Sequence, residues 1–186
     1  MLEAFLISTG LVALAEIGDK TQLLALLLAA RFRKPIPIVL GILCATLANH
    51  ALAGAVGSWV TRLFDPEVLR WILAASFAAM AVWALVPDDP PDCKEQRTYV
   101  GVFATTLIAF FLIEMGDKTQ VATVALAAKY VFIIPVVIGT TLGMMLANTP
   151  AVILGDRLAH RLPMKLLRAI SAALFLGIGI YILVSH

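Results

Sequence analysis

Six apolar runs, each long enough to cross a bilayer as a helix, follow one another along this chain with short connections. They cover Glu3–Ala30, Ile36–Val60, Val68–Val86, Tyr99–Ala128, Phe132–Leu154 and Leu166–Val184. A hydrocarbon core of roughly 30 Å takes about 20 helical residues, so the runs predict an all-α membrane protein of six transmembrane helices. Composition agrees: 61% of the 186 residues are hydrophobic and 14% are charged, outside the range of soluble globular domains. The connections leave no room for an attached soluble domain. The N-terminal "MLEAFLIS" has neither a basic n-region nor a small-residue cleavage site, so the first helix is expected to stay in the mature protein.

Into the first and fourth runs the chain places the same charged heptad, Glu16-Ile17-Gly18-Asp19-Lys20-Thr21-Gln22 and, 98 residues on, Glu114-Met115-Gly116-Asp117-Lys118-Thr119-Gln120. The same offset sets Pro37 on Pro135, Gly41 on Gly139, Arg70 on Arg168, Phe77 on Phe175 and Trp83 on Tyr181. With one inserted residue Asn49 falls on Asn148. Two homologous halves, 1–86 and 99–186, are therefore expected, joined by the polar, proline-rich linker 87–98, which reads as an exposed loop. Three helices is an odd number, so the second half must enter the membrane from the opposite side. That makes an inverted-topology repeat, an arrangement characteristic of secondary transporters.

Lysine and arginine counts orient the chain. Nine (Arg31, Arg33, Lys34, Lys94, Arg97, Arg157, Arg161, Lys165, Arg168) fall on the side of the first, third and fifth connections, and three (Arg62, Arg70, Lys129) on the other. Positive charge concentrates on the cytoplasmic side, so the central linker is expected in the cytoplasm and both termini outside. The basic stretch 155–165 reads as part of the same cytoplasmic charge.

Both heptads lie near the middle of their runs, where each ionised residue costs about 2.5–3.5 kcal/mol to insert, or roughly 15–20 kcal/mol for six. Such groups have to be paired, neutralised or hydrated. On a continuous helix Glu16 and Lys20 stand at i, i+4 in the favourable order, as do Glu114 and Lys118; Glu16 shares a face with Asp19, and Glu114 with Asp117. If the two faces meet, four carboxylates and two ammonium groups leave a formal charge of −2, which one divalent cation would neutralise. The acids Glu16, Asp19, Glu114 and Asp117 are the candidate ligands, with Gln22, Gln120, Asn49 and Asn148 available to complete the shell and Lys20 and Lys118 to balance charge. An oxygen-rich set of this kind suits Mn²⁺, Ca²⁺ or Mg²⁺ rather than Cu⁺ or Zn²⁺. Gly18 and Gly116 permit either close helix contact or local unwinding, and the sequence leaves both open.

Several other residues carry weaker signals. Pro150 should free the carbonyl of Leu146 and kink the fifth helix. His50, beside Asn49, reads as a core histidine bonded to a neighbour. The third and sixth helices carry small residues and no mid-span charge, as packing scaffold does. Cys44 and Cys93 match no disulfide or metal spacing.

Paired E-x-G-D-K-T-Q heptads on the first and fourth of six helices, separated by an acidic loop, resemble the Gdt/MneA family of cation transporters over essentially the whole chain. The resemblance implies export of Mn²⁺ from a bacterial cytoplasm, or Mn²⁺ and Ca²⁺ movement in eukaryotic members, by exchange with protons. The family's motif acids carry over to Glu16, Asp19, Glu114 and Asp117, and its motif basic and hydroxyl residues to Lys20, Thr21, Lys118 and Thr119; Gly18 and Gly116 support the motif. The expected partners are a divalent ion, protons and the lipid of a bacterial inner membrane, with no nucleic acid, no bound cofactor and no catalysis. The rival readings are a Ca²⁺/H⁺ antiporter of the same family, an exporter of small amino acids, and a Mg²⁺-dependent intramembrane transferase. The last would need more Arg or Lys near its acids to hold phosphate.

Overall fold

The structure is a computed structural model that describes residues 1–87, 101–130, 132–154 and 164–184. Among them the chain forms eight helices and no strand: α1 (Leu2–Glu16), α2 (Lys20–Phe32), α3 (Pro35–Val60), α4 (Pro66–Leu85), α5 (Val102–Glu114), α6 (Lys118–Lys129), α7 (Ile133–Leu154) and α8 (Met164–Val184). The all-helical expectation holds. By length and composition α3, α4, α7 and α8 could each cross a membrane. The first and fourth apolar runs, expected as continuous helices, are instead each broken in two inside the heptad. Most of the linker, with Cys93, and most of 155–165 lie outside the described residues. Cys44 is exposed and is a free thiol.

Local chemistry fixes the other boundaries. Arg33 ends α2 in the left-handed region at φ 52°, its N–H bonded to the carbonyl of Ala29. Pro35 and Pro66 open α3 and α4, where a missing N–H costs nothing. Pro150 lies inside α7, which runs on to Leu154, so the expected kink does not end the helix.

The two halves interlock. α1 packs along α7 and α5 along α3, each helix lying on one from the opposite half. Gly41 and Gly139 make the approach possible. A Cβ at Gly41 would sit 3.0 Å from the carbonyl oxygen of Phe103 and 2.8 Å from Thr106 Cβ; at Gly139 it would sit 2.7 Å from the oxygen of Phe5 and 3.0 Å from Ser8 Cβ. Phe5 and Ser8 are the 98-residue counterparts of Phe103 and Thr106. The same contact is thus made twice, with the halves exchanged. Phe77 and Phe175, also counterparts, meet each other with ring centroids 6.3 Å apart, where α4 lies along α8.

The apolar core forms two clusters. One gathers residues of α1, α4, α6, α7 and α8 around Phe77, Met80, Leu126 and Phe175. The other gathers α2, α3, α5 and α7 around Leu24, Leu28, Ile42 and Phe110.

Candidate metal centre

Each heptad interrupts its helix in the same way. Glu16 closes α1, Gly18 takes φ +82°, and Asp19 stands extended before Lys20 opens α2; Glu114 closes α5, Gly116 takes φ +81°, and Asp117 stands extended before Lys118 opens α6. A positive φ costs a residue with a Cβ about 1–2 kcal/mol, which decides between the two uses of these glycines: they permit unwinding. Gly116 has no atom within 4 Å of where its Cβ would be, so close packing is not its role. Each break is tied by the glutamine that ends its heptad. Gln22 Oε1 accepts from Gly18 N at 2.8 Å and Gln120 Oε1 from Gly116 N at 2.6 Å, and Gln22 Nε2 donates to the carbonyl of Ala147 at 2.9 Å. Their amide oxygens serve the backbone of the break.

The breaks bring two helix C-termini and two helix N-termini to one place. C-terminal ends carry partial negative charge and N-terminal ends partial positive charge. Asp19 and Asp117 occupy the N-cap positions of α2 and α6, and Asp117 accepts from the Thr119 N–H at 3.5 Å. Glu16 and Glu114 are each held by the threonine five residues on, Thr21 Oγ1 donating to Glu16 Oε2 at 2.5 Å and Thr119 Oγ1 to Glu114 Oε1 at 2.8 Å.

The pairing of charge departs from the helix-based expectation. With the helix broken between Glu16 and Lys20, the i, i+4 geometry is lost, and the ion pairs run between the halves. Lys118 Nζ lies 2.6 Å from Asp19 Oδ1 and Lys20 Nζ 2.7 Å from Asp117 Oδ1. The first pair is deeply buried, with side chains 6% and 0% exposed; in the second Lys20 keeps 25% exposure. Glu16, Asp19 and Asp117 can each present an oxygen such that all three lie within 4.8 Å of one another. That span is about twice a Ca²⁺–oxygen distance of roughly 2.3–2.6 Å, the size of one ion's shell. Glu114 is not among the three.

Glu16 Oε1, Glu114 Oε2, Asn49 Oδ1 and Asn148 Oδ1 are among the buried acceptor oxygens with no hydrogen-bond donor among the described residues. They form two register-equivalent pairs. Each asparagine is oriented by its amide nitrogen, Asn49 Nδ2 donating to the carbonyl of Phe111 at 3.0 Å and Asn148 Nδ2 to that of Met144 at 3.1 Å. Unpartnered buried acceptors are costly, and a cation would satisfy them. His50 differs from its expectation: both ring nitrogens are buried without a partner among the described residues, and it is not one of the three-acid group.

Residues outside the heptads also border the centre. A cavity beside Asp19, Gly18 and Lys118 is lined by Ala84 of α4 and by Arg168 and Ser171 of α8. The Arg70–Arg168 register singled out Arg168 in the sequence but gave no reason to place it near the acids.

Comparison with known proteins follows the same lines. The profile of the family described as "Divalent cation/proton antiporter GDT1" matches residues 4–92 and 102–186. A Vibrio cholerae serotype O1 protein named "Putative manganese exporter" is 51% identical over 177 residues, 95% of this chain and 88% of its own. A rice protein, "GDT1-like protein 3", is 27% identical over 206 residues, 97% of this chain and 73% of its own. An Arabidopsis thaliana protein, "GDT1-like protein 5", is 25% identical over 220 residues, 97% of this chain and 95% of its own. No solved structure shows significant similarity. The match over both halves sets aside the transferase and amino-acid exporter readings: this chain is a multi-pass membrane protein of the GDT1 family of divalent cation/proton antiporters, a cation transporter rather than an enzyme.

Proposed function

We propose that this protein exports Mn²⁺ in exchange for protons, through a single ion site built from both heptads. The observation that carries the reading is the crossed pairing of Asp19 with Lys118 and Asp117 with Lys20, beside an acid trio within 4.8 Å. In the ion-free centre each lysine neutralises an aspartate of the other half. An arriving divalent ion takes oxygens of Glu16, Asp19 and Asp117, displacing the ammonium groups toward Glu114 and the cavity, and the unpartnered oxygens of Asn49 and Asn148 turn to it. Gln22 and Gln120 act as supports of the break rather than as ligands, because their oxygens hold the glycine amides. Thr21 and Thr119 fix the glutamates.

The charge arithmetic accounts for the exchange. Four carboxylates and two ammonium groups sum to −2, which one divalent cation or two protons bring to zero. Either cargo lets the centre cross a low-dielectric region without net charge, whereas the empty centre carries the full desolvation cost. The broken helices α1–α2 and α5–α6 then complete six transmembrane passes, and the doubled Gly41/Gly139 contact supports inverted repeats that rock about the site. The lysine and arginine distribution supports a linker in the cytoplasm of a bacterium and termini outside. Mn²⁺ rather than Ca²⁺ is proposed as the cargo because the Vibrio relative is named a manganese exporter. The test is Mn²⁺ flux into liposomes carrying purified protein, with Ca²⁺ and Mg²⁺ as competitors and an imposed pH gradient. Asp19→Asn and Asp117→Asn should each slow Mn²⁺ flux severalfold; wild-type rates in both would refute the site, and indifference to the gradient would refute proton exchange.

A further inference from the structure

The sequence repeats, but the packing does not. α8 packs on α1, and α4 on α6, whereas the register-equivalent pairs α4 with α5 and α2 with α8 are scarcely in contact. Accordingly the cluster around Leu126 and Phe175 includes α4 and α8, and the cluster around Leu28 and Phe110 contains no residue of either. The α4–α8 pair is thus closed onto one end of the molecule, where α1 begins and α6 ends, and is withdrawn from the end where α2 finishes. The cavity reaching Asp19 lies on the withdrawn side, lined by Ala84 near the end of α4 and Arg168 near the start of α8.

At the closed end four side chains join three helices. Tyr130 Oη donates to Glu3 Oε1 at 3.1 Å. Lys129 Nζ lies 4.4 Å from the centre of the Tyr181 ring and 5.0 Å from that of Tyr130, with no hydrogen-bond acceptor among the described residues. Desolvated cation–π contacts of this kind are the stronger ones. The 98-residue register maps Lys129 onto Arg31, Tyr130 onto Phe32, Tyr181 onto Trp83 and Glu3 onto Gly101. Half of that arrangement already stands at the open end: Arg31 lies 5.3 Å from the centre of the Phe32 ring. Arg31 is exposed and Trp83 is 38% exposed.

We propose that Lys129–Tyr181, with Tyr130–Glu3, is the lock that holds this conformation, and that Arg31 closing on Trp83 is the matching lock of the opposite conformation. An arginine over tryptophan is the favoured cation–π combination. Gly101 offers no counterpart to the Glu3 carboxylate, so the second lock lacks the hydrogen-bonded arm. The two locks exclude each other, because the α4–α8 pair cannot close onto both ends. The inference rests on the proposed transport reading only in what the motion is for; the exclusion itself is tested without transport.

The experiment uses the full chain with Cys44 and Cys93 replaced by alanine, carrying Lys129→Cys and Tyr181→Cys at one end and Arg31→Cys and Trp83→Cys at the other, in liposomes. A short bifunctional thiol reagent is applied to each pair alone and to both together, with mass-spectrometric assignment of the links. Each pair should link when present alone, and linking Lys129→Cys to Tyr181→Cys should reduce linking of the other pair at least tenfold, restored by a reducible linker and reductant. Both links forming in the same molecules would overturn the proposal, as would failure of the Arg31→Cys and Trp83→Cys pair to link alone. Mn²⁺ flux in the parent without native cysteines is measured beside it, so that loss of flux there counts against the transport reading and not against the locks.

Discussion

Removing one acid from the centre should turn an electrically silent exchanger into one driven by membrane potential. Asp117→Asn is the variant of choice, because its ion-pair partner Lys20 is 25% exposed and can stay hydrated, whereas Lys118, the partner of Asp19, is 6% exposed. In the wild type the centre is neutral with one divalent ion and neutral with two protons. In Asp117→Asn the ion-loaded centre carries +1. One charge crossing 100 mV is worth about 2.3 kcal/mol; a site halfway across feels about half, roughly sevenfold in rate at about 1.4 kcal/mol per factor of ten. Lys20→Gln does the reverse: its ion-loaded centre carries −1, and the potential dependence changes sign. The assay is initial Mn²⁺ flux in liposomes with potassium gradients and an ionophore clamping the potential at 0 and ±100 mV. Wild-type flux should vary less than twofold, and the two variants should respond severalfold in opposite directions. A steep wild-type response, or the same sign in both variants, would refute the charge count.

Three further outcomes follow from the geometry. Gly116→Ala should lower stability by about 1–2 kcal/mol, for the positive φ alone, since no atom lies within 4 Å of the added Cβ. Gly116→Asn should recover most of it, because asparagine tolerates that region. Thermal midpoints in detergent rank the three proteins, and an asparagine variant no better than alanine would count against unwinding. Thr21→Val and Thr119→Val each remove a donor to a buried glutamate, a charged hydrogen bond worth about 1.5–3 kcal/mol; Mn²⁺ affinity by calorimetry should fall about tenfold or more, with the serine variants near wild type. Lys118→Met breaks the more buried ion pair, costing about 3–5 kcal/mol, and should lower the unfolding midpoint more than Lys20→Met; equal shifts would contradict the burial asymmetry.

What the sequence reveals here depends on which physics the repeat encodes. The duplicated heptad was legible because charged residues in an apolar run are few and their spacing is unambiguous. The breaks were not, because "EIGDKTQ" sits within apolar sequence that continues a helical run on both sides, and a single glycine is compatible with a tight contact as well as a positive φ. The ion pairs were misassigned for the same reason: i, i+4 pairing presumes a continuous helix, and once Gly18 unwinds it, Lys20 points to the other half. Gln22 and Gln120 read as ligands on donor chemistry alone, and the bonds their oxygens accept from the Gly18 and Gly116 amides could not be foreseen without the break. The unequal docking of α4 and α8 is invisible to a repeat, since the same register describes both conformations.

The crossed pairs also explain why neither half could serve alone. One heptad carries two acids and one lysine and so has a formal charge of −1, while its lysine pairs with an aspartate of the other heptad. Lys118 with Asp19 is the clearest case, the two side chains 6% and 0% exposed and 2.6 Å apart across the interface. Separating the halves would break both ion pairs, and for buried ions that cost adds to the loss of apolar contact between the surfaces. Exchange of partners therefore couples assembly to function. On the proposed reading a divalent ion takes the place of these ion pairs, and its bonds to acids of both halves then hold the halves together while it neutralises the centre.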